Sequence, residues 1–442
     1  MNPARARFAR LAALLSALLI VVASAGGCGS RSRELQPGSY RAVLELPGGE
    51  LPFGLDVAQE ESGPVLYLVN GEERVRVTEV TVTEGRLTAH MPGYENTLVA
   101  EIRGGKLQGE LSLLRPGGER QVLPLRAEVG QAWRFFEEPA TDNADIAGRW
   151  AVTFTSDAGK KSPGVAEFAQ SFERVTGTIL TPTGDHRFLA GEVRGDELYL
   201  SRFDGASAYL YRARVDERGD LAGEYWSGKT GHQKFRAERN PDAVLDMSGV
   251  ATGMRDPSVK LEFTFPDLDD RPVSLTDPRF QGKVVIVTLA GSWCPNCHDE
   301  AVFLAQLYRE LRGQGLEVVS LMFEHYGDFA QAAAATRRFR DDLGIEYTTL
   351  IAGTSDRDEA AKALPQLAGV FAFPTTIWVD RSGTVRKIHA GFSGPATGAH
   401  YAELTREFKE FTLGLLAEAA GAPAAGTSPS PAATASAGVA SQ

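Results

Sequence analysis

Cysteine is scarce in this sequence: three residues in 442, Cys28, Cys294 and Cys297. That scarcity excludes a closed structural zinc site, which needs four ligands, because only His298 stands near the one close pair. No metal is expected. A basic surplus is missing as well. Lysine and arginine number 46 against 57 aspartate and glutamate, a formal charge of −11. Such a surface repels phosphate backbones, so nucleic acid is not an expected partner. The apolar run near the start, Leu11–Ala25, falls short of the roughly 20 residues that a membrane span needs.

What that run does suit is the core of a signal peptide. Arg5, Arg7 and Arg10 precede it, and small residues come after it, so residues 1–27 are expected to be an export signal and 28–37 a linker. Ala25-Gly26-Gly27-Cys28 resembles a bacterial lipobox. The resemblance implies that Cys28 is lipidated and becomes the first residue of the mature chain. The alternative is an ordinary secretory signal that leaves Cys28 a free thiol. Either way the chain leaves the cytoplasm for a compartment where a cysteine pair can be oxidised. Removing the signal, with its three arginines and no acid, would take the charge from −11 to −14.

From Gly38 to Asn240 no helical period of useful length occurs. Short β-branched or alternating runs (Arg41–Leu46, Val65–Val69, Val75–Thr83, Leu98–Ile102, Leu198–Ser201) are separated by turn signals such as Asn70-Gly71 and Pro116-Gly117-Gly118. That pattern predicts all-β barrels or sandwiches. The region also reads as duplicated. Gly38-Ser-Tyr40 matches Gly148-Arg-Trp150, Leu107-Gln-Gly109-Glu110 matches Leu221-Ala-Gly223-Glu224, and Arg126-Ala-Glu128 matches Arg236-Ala-Glu238. Two β lobes are therefore expected, 38–137 and 145–240, with a linker, 241–257, after the second.

Residues 258–420 alternate strand and helix signals and predict an α/β domain. A hairpin is expected at Leu261–Phe265 and Pro272–Leu275, and a buried strand at Val284–Ala290. A helix over His298–Arg312 places Glu300, Leu304, Leu307 and Leu311 on one face. Strands at Glu317–Phe323, Thr348–Ile351, Thr375–Asp380 and Val385–His389 interleave with helices at Asp328–Leu343, Asp358–Leu367 and Ala399–Ala419. The tail, 421–442, is alanine, proline, serine, threonine and glycine with little else, and cannot bury enough apolar surface to fold.

The chemistry sits where the first buried strand meets its helix. Cys294 and Cys297 are separated by Pro295 and Asn296, and a cysteine at a helix start meets unpaired N–H groups that favour a thiolate, the species that attacks disulfides. Trp293-Cys294-Pro295-Asn296-Cys297, with Phe373-Pro374-Thr375-Thr376 opening a later strand, resembles the thioredoxin fold and, more narrowly, the TlpA/ResA-type thiol-disulfide oxidoreductases. The resemblance covers 258–419 and none of the β lobes. It implies that Cys294 is the exposed nucleophile and Cys297 the shielded resolving thiol. Pro374 is implied to be cis, with Phe373 beside it presenting backbone to a docking peptide. Pro295 and Asn296 are expected to tune the redox potential, and Trp293 to flank the substrate or simply pack. Thioredoxin has a buried aspartate six residues before the first cysteine, where this chain has Thr288. The ResA-like group has a glutamate three residues after the second cysteine, here Glu300, which is implied to shuttle the proton of Cys297 or, failing that, to be an ordinary first-turn acid.

No cofactor beyond the cysteine pair is expected. The implied partners are disulfide-bonded extracytoplasmic proteins, including apocytochromes, a membrane transporter of thiol reductant, and the membrane itself through the lipid anchor, on the periplasmic side of the cell envelope. Two other functions stay open. One is a binding or scaffold lipoprotein whose lobes carry the function. The other is a peroxiredoxin-like thiol peroxidase, against which Gly291 stands where such enzymes carry a threonine.

Overall fold

The computed structural model describes residues 33–138, 140–250 and 252–418. The signal segment, Cys28 and the 421–442 tail lie outside the described residues.

Alternating burial along nine strands builds the first lobe: Gly38–Leu46 (β1), Gly49–Glu60 (β2), Gly63–Asn70 (β3), Glu73–Val77 (β4), Val80–Thr83 (β5), Arg86–His90 (β6), Thr97–Ile102 (β7), Lys106–Leu114 (β8) and Arg120–Val129 (β9). Sequential neighbours pair antiparallel and β1 pairs with β9, giving the order β4-β3-β2-β1-β9-β8-β7-β6-β5. The ring stops one pairing short of closure, between β4 and β5. Here the sequence expectation of one strand over Val75–Thr83 is corrected. Thr78 and Glu79 break that run, and its halves form the two free edges of the barrel. The alternation 75–83 looks continuous because both halves share a period of two; the direction change between them carries no composition signal.

The second lobe repeats the plan and closes. Its strands are Gly148–Ser156 (β10), Lys161–Ser171 (β11), Arg174–Thr181 (β12), Gly184–Asp185 (β13), Leu189–Arg194 (β14), Glu197–Phe203 (β15), Ala208–Val215 (β16), Leu221–Ser227 (β17) and Gly231–Arg239 (β18). The pairing of β11 with β12 completes the ring, and β13 folds back on β12 as a two-residue flap. Two antiparallel barrels thus precede the α/β domain. They are fused through their cores: Phe203, Ala206, Ala208 and Leu210 of the second barrel pack into the apolar cluster of the first, with Phe203 edge-on to Phe53 at 5.1 Å. The connector is pinned too. Glu192 accepts the backbone N–H groups of Arg134, Phe135 and Phe136, while the Arg134 guanidinium bonds Ser201 and Asn70.

The α/β domain opens with a small hairpin, Thr264–Pro266 (β19) with Pro272–Ser274 (β20). Its main sheet contains Val284–Ala290 (β21), Leu316–Glu324 (β22), Thr348–Thr354 (β23), Thr375–Val379 (β24) and Val385–Ala390 (β25), in the order β23-β22-β21-β24-β25. β21, β22 and β23 run parallel, while β24 and β25 run antiparallel. All seven residues of β21 are buried, as an apolar run covered on both faces requires. Helices Pro295–Leu311 (α1), Phe329–Asp342 (α2), Arg357–Ala363 (α3) and Ala399–Ala417 (α4) flank it, which is the thioredoxin-like arrangement. α1 starts three residues earlier than its apolar period suggests, because its first turn is set by the cap and not by packing.

Candidate active site

β21 delivers the chain to the centre of the sheet edge, and Gly291 lets it turn. A side chain there would put Cβ 2.7 Å from the Phe323 carbonyl oxygen, which leaves no room for the threonine of a peroxidase. Ser292 then ties the loop down: its N–H and hydroxyl donate to Glu324 at 3.0 and 2.7 Å.

Cys294 is the N-cap of α1 and Pro295 its first residue, where a missing N–H costs nothing. The Cys297 N–H donates to Cys294 Sγ at 3.3 Å, a bond that a thiolate keeps. On its other side the thiol reaches the Phe373 carbonyl at 3.5 Å, immediately before the cis Phe373–Pro374 bond. No disulfide joins the two cysteines in this structure. Cys297 is 1 % exposed, and its thiol lies well above the usual range, first through burial and then through the neighbouring Cys294 and Glu300 charges. Cys294 is only 5 % exposed, against the expectation of an exposed nucleophile. It belongs to the core cluster of its own domain, and residues of both β lobes line the cleft that reaches it.

Glu300 sits one turn beyond Cys297 and is buried. Thr288 and Thr376 donate their hydroxyls to its two oxygens, Thr288 at 2.5 Å. Burial raises its pKa to about 7, and the hydroxyls offset only part of the cost. The non-titrating Thr288 therefore serves as the tether of a titrating carboxylate on the adjacent helix. Three further titratable residues that the sequence pattern does not mark are buried or nearly so in this domain. Glu324, at the end of β22, is fully buried among Ser292 and Thr336 hydroxyls and is raised to about 7 by burial. Its one sequence signal is an acid ending an otherwise apolar strand. Tyr347 is buried with its hydroxyl unpartnered, and its pKa is raised by burial and by the charges of Glu300 and Cys297. Third, Asp299 is raised to about 7 because burial outweighs Arg187, whose charge it shares with Glu73 and Asp204.

Trp293 both packs and lines the site. Its indole N–H donates to the Phe323 carbonyl at 2.8 Å, its ring stacks on His325 at 4.6 Å, and Phe373 meets it edge-on at 5.8 Å. His325 is buried, held through Nδ1 at 2.8 Å from Ser355 Oγ and kept neutral, its pKa lowered to about 3 by burial and by Arg115.

Both barrels close over this site. From the second, the β12–β13 flap presses on the start of α1, so closely that a side chain at Gly184 would come within 2.7 Å of Asn296. Asp185 accepts the Asn296 amide at 2.9 Å and the Gly394 N–H at 2.7 Å. Arg187, largely buried, joins three parts of the chain: Glu73 at 3.0 Å, Asp204 at 3.5 Å and Asp299 at 3.3 Å, with a further bond to the Pro295 carbonyl at 3.4 Å. From the first barrel, Tyr94 stacks on His298 at 4.0 Å, and the Gly117 N–H donates to the His325 carbonyl at 2.9 Å. What remains open is a cleft of about 420 Å³ reaching Cys294. Trp293, Cys294, Pro295 and Phe373 line it; Cys297 and Glu300 lie beneath, and Pro374 behind. Among the described residues no group of three or more histidine, cysteine, aspartate or glutamate side chains is placed to hold a metal ion.

Residues 252–403 match the family model described as Redoxin. Among curated proteins, the thiol-disulfide oxidoreductase ResA of Geobacillus thermodenitrificans is 27% identical over 146 residues, 33% of this chain and 73% of its own length. ResA of Halalkalibacterium halodurans is 25% identical over 30% of this chain and 66% of its own, and that of Bacillus subtilis 24% identical over 29% and 64%. The chain thus spans slightly less than two thirds of those last two relatives. A solved thioredoxin-family thiol:disulfide interchange protein from Chlorobium tepidum TLS is 19% identical, with a TM-score of 0.28 over 37% of this chain and 99% of its own. A secreted thiol-disulfide isomerase from Corynebacterium glutamicum is 21% identical, with a TM-score of 0.30 over 39% and 96%. The C-terminal part of the chain is a ResA-like thiol-disulfide oxidoreductase domain whose redox group is its cysteine pair.

Proposed function

We propose that the chain reduces disulfides of extracytoplasmic proteins by dithiol exchange through Cys294 and Cys297. The observation that supports this most strongly is the alignment of Cys294 Sγ between the Cys297 N–H and the Phe373 carbonyl, with the buried Glu300 beneath. Cys294, as thiolate, attacks one sulfur of the substrate disulfide. A mixed disulfide forms, and the first substrate thiol leaves with a proton. Cys297 passes its proton to Glu300 and attacks Cys294 Sγ, which releases the second substrate thiolate to take up a proton in turn. The balance is two electrons and two protons given to the substrate, and a Cys294–Cys297 disulfide left on the enzyme. A dithiol reductant must then reset it, and a membrane thiol transporter fits that need. Apocytochromes awaiting haem are one fitting class of substrate.

Export through residues 1–27 and lipidation of Cys28 would hold the chain at the membrane, on the periplasmic side of the envelope. The lobes take a part in this reading that the sequence did not assign to them, because they wall the cleft over Cys294. The reading that the lobes bind a partner therefore joins the redox reading: what they bind is brought to the thiol. The test is reduction of a protein disulfide with dithiothreitol as electron source. Cys294→Ala should abolish turnover. Turnover by Cys294→Ala at the wild-type rate would overturn the proposal.

A further inference from the structure

Cys294 lies at the bottom of a cleft, and the lobes supply much of its wall: Tyr94–Asn96 and Arg115 from the first, Ser207 and Tyr209 from the second. Buried cations in proteins are paired. Arg115, a half-buried cation on the wall of this cleft, has no such pair. Its guanidinium has one side-chain bond, to Gln121 Oε1 at 2.7 Å, and its Nε is buried without an acceptor. Among the described residues no carboxylate lies within ion-pair distance of it. Partial burial lowers its pKa from the usual arginine value, and the nearby phenols of Tyr209 and Tyr225 offset only part of that. Its field also reaches the site, since it helps keep His325, stacked on Trp293, neutral. Two other charged side chains line the cleft, Glu95 and Arg357. Glu95, its one carboxylate, is paired with Arg338 at 3.3 Å. Arg357, from the α/β domain, is exposed and bonded to the Phe371 carbonyl, so solvent screens its charge more than that of half-buried Arg115.

We propose that the lobes make this cleft a selective site for a disulfide that carries a carboxylate near its sulfurs, the carboxylate pairing with Arg115. The inference rests on the dithiol reading of Cys294 and Cys297. A cleft of about 420 Å³ and a thiol 5 % exposed admit a small molecule or a flexible cysteine-bearing segment, and shut out a disulfide embedded in a folded surface. The lobes, which the Redoxin match does not cover, thereby set the substrate class. The exchange step is unchanged: Cys294 Sγ bonds the substrate sulfur nearer the carboxylate and the other sulfur leaves as a thiol.

The test uses the full chain with dithiothreitol as reductant and short peptide disulfides of equal length flanked by glutamate, glutamine or lysine, alongside dithiodipropionate and cystamine. The expected kcat/KM is about tenfold higher for the glutamate peptide than for the glutamine peptide, the worth of one charge-assisted hydrogen bond, and lowest for lysine. In Arg115→Gln the glutamate-to-glutamine ratio should fall toward one, and Arg115→Lys should restore part of it. Because the ratio is taken within one variant, loss of folded protein cancels. A preference for dithiodipropionate over cystamine without a peptide preference supports the site as one for small disulfides; the reverse supports chain segments. Equal rates for all flanks, or a ratio untouched in Arg115→Gln, overturn the inference and leave the dithiol reading standing. Reduction of none of these disulfides overturns both.

Discussion

Glu300 owes its character to a place no solvent reaches, tethered by Thr288 and Thr376 on neighbouring strands. With a pKa near 7 it is half-ionised under working conditions and suited to take the Cys297 proton. Glu300→Gln is expected to slow resolution of the mixed disulfide by about 100-fold while capture by Cys294 persists, and to erase the titration near pH 7 from the resolution rate. Stopped-flow measurement of the two phases against pH checks this; an unchanged profile would move the proton acceptor elsewhere. The carboxylates also set a pH dependence of stability. Glu300, Glu324 and Asp299 are all raised to about 7 by burial, so the native state holds protons that the unfolded chain has lost. Their contribution is full below about pH 4 and fades as pH rises through 7, each tenfold difference in proton affinity between the folded and unfolded chain being worth about 1.4 kcal/mol. Urea midpoints from pH 4.5 to 8 should therefore decline, and the decline should shrink in Glu324→Gln.

At the scale of elements, the β12–β13 flap couples the second barrel to α1. Arg187 pairs with carboxylates from three regions at once, and removing it strands Glu73 and Asp299, while Asp204 keeps its pair with Arg202. Arg187→Leu is expected to cost about 3–5 kcal/mol, read as a drop in the urea midpoint. A loss under about 1 kcal/mol, the worth of an exposed pair, would show that the barrels dock without it. Asp185 places a negative charge against Asn296, between the cysteines. Asp185→Asn should ease formation of the thiolate-bearing reduced form, shifting the equilibrium with a glutathione buffer about threefold toward the dithiol. Elements were legible in the sequence where one signal governs them. β21 announced itself by its apolar run, and the turn glycines marked the barrel strands. The Val75–Thr83 run failed because Thr78 and Glu79 break the strand without any glycine or proline to mark the change of direction.

For the whole molecule, the duplication was readable because each barrel repeats the same short motifs, such as Leu-x-Gly-Glu at β8 and β17. The thioredoxin-like plan was legible in the strand–cysteine–helix order and the distant Phe373-Pro374. Hidden from sequence was how the parts meet. Asp185 and Asn296 stand far apart in the chain, as do Tyr94 and His298, and nothing in their local pattern marks either as a contact. Cys294, read as exposed in the sequence, is 5 % exposed in the fold, within its domain's core cluster and at a cleft that lobe residues help line. Residues of both barrels and of the α/β domain line one cleft at the thiol, which is the placement the proposed selectivity draws on.

The exchange chemistry stands or falls on which sulfur captures substrate. Full-length Cys297→Ala and Cys294→Ala, each incubated with a peptide disulfide and quenched in acid, can be compared by intact mass. Cys297→Ala is expected to accumulate a stable adduct of one half-peptide on Cys294, while Cys294→Ala, whose remaining thiol is 1 % exposed and held protonated, gains none. An adduct on Cys297 in the second variant, or none in the first, would contradict that order of attack.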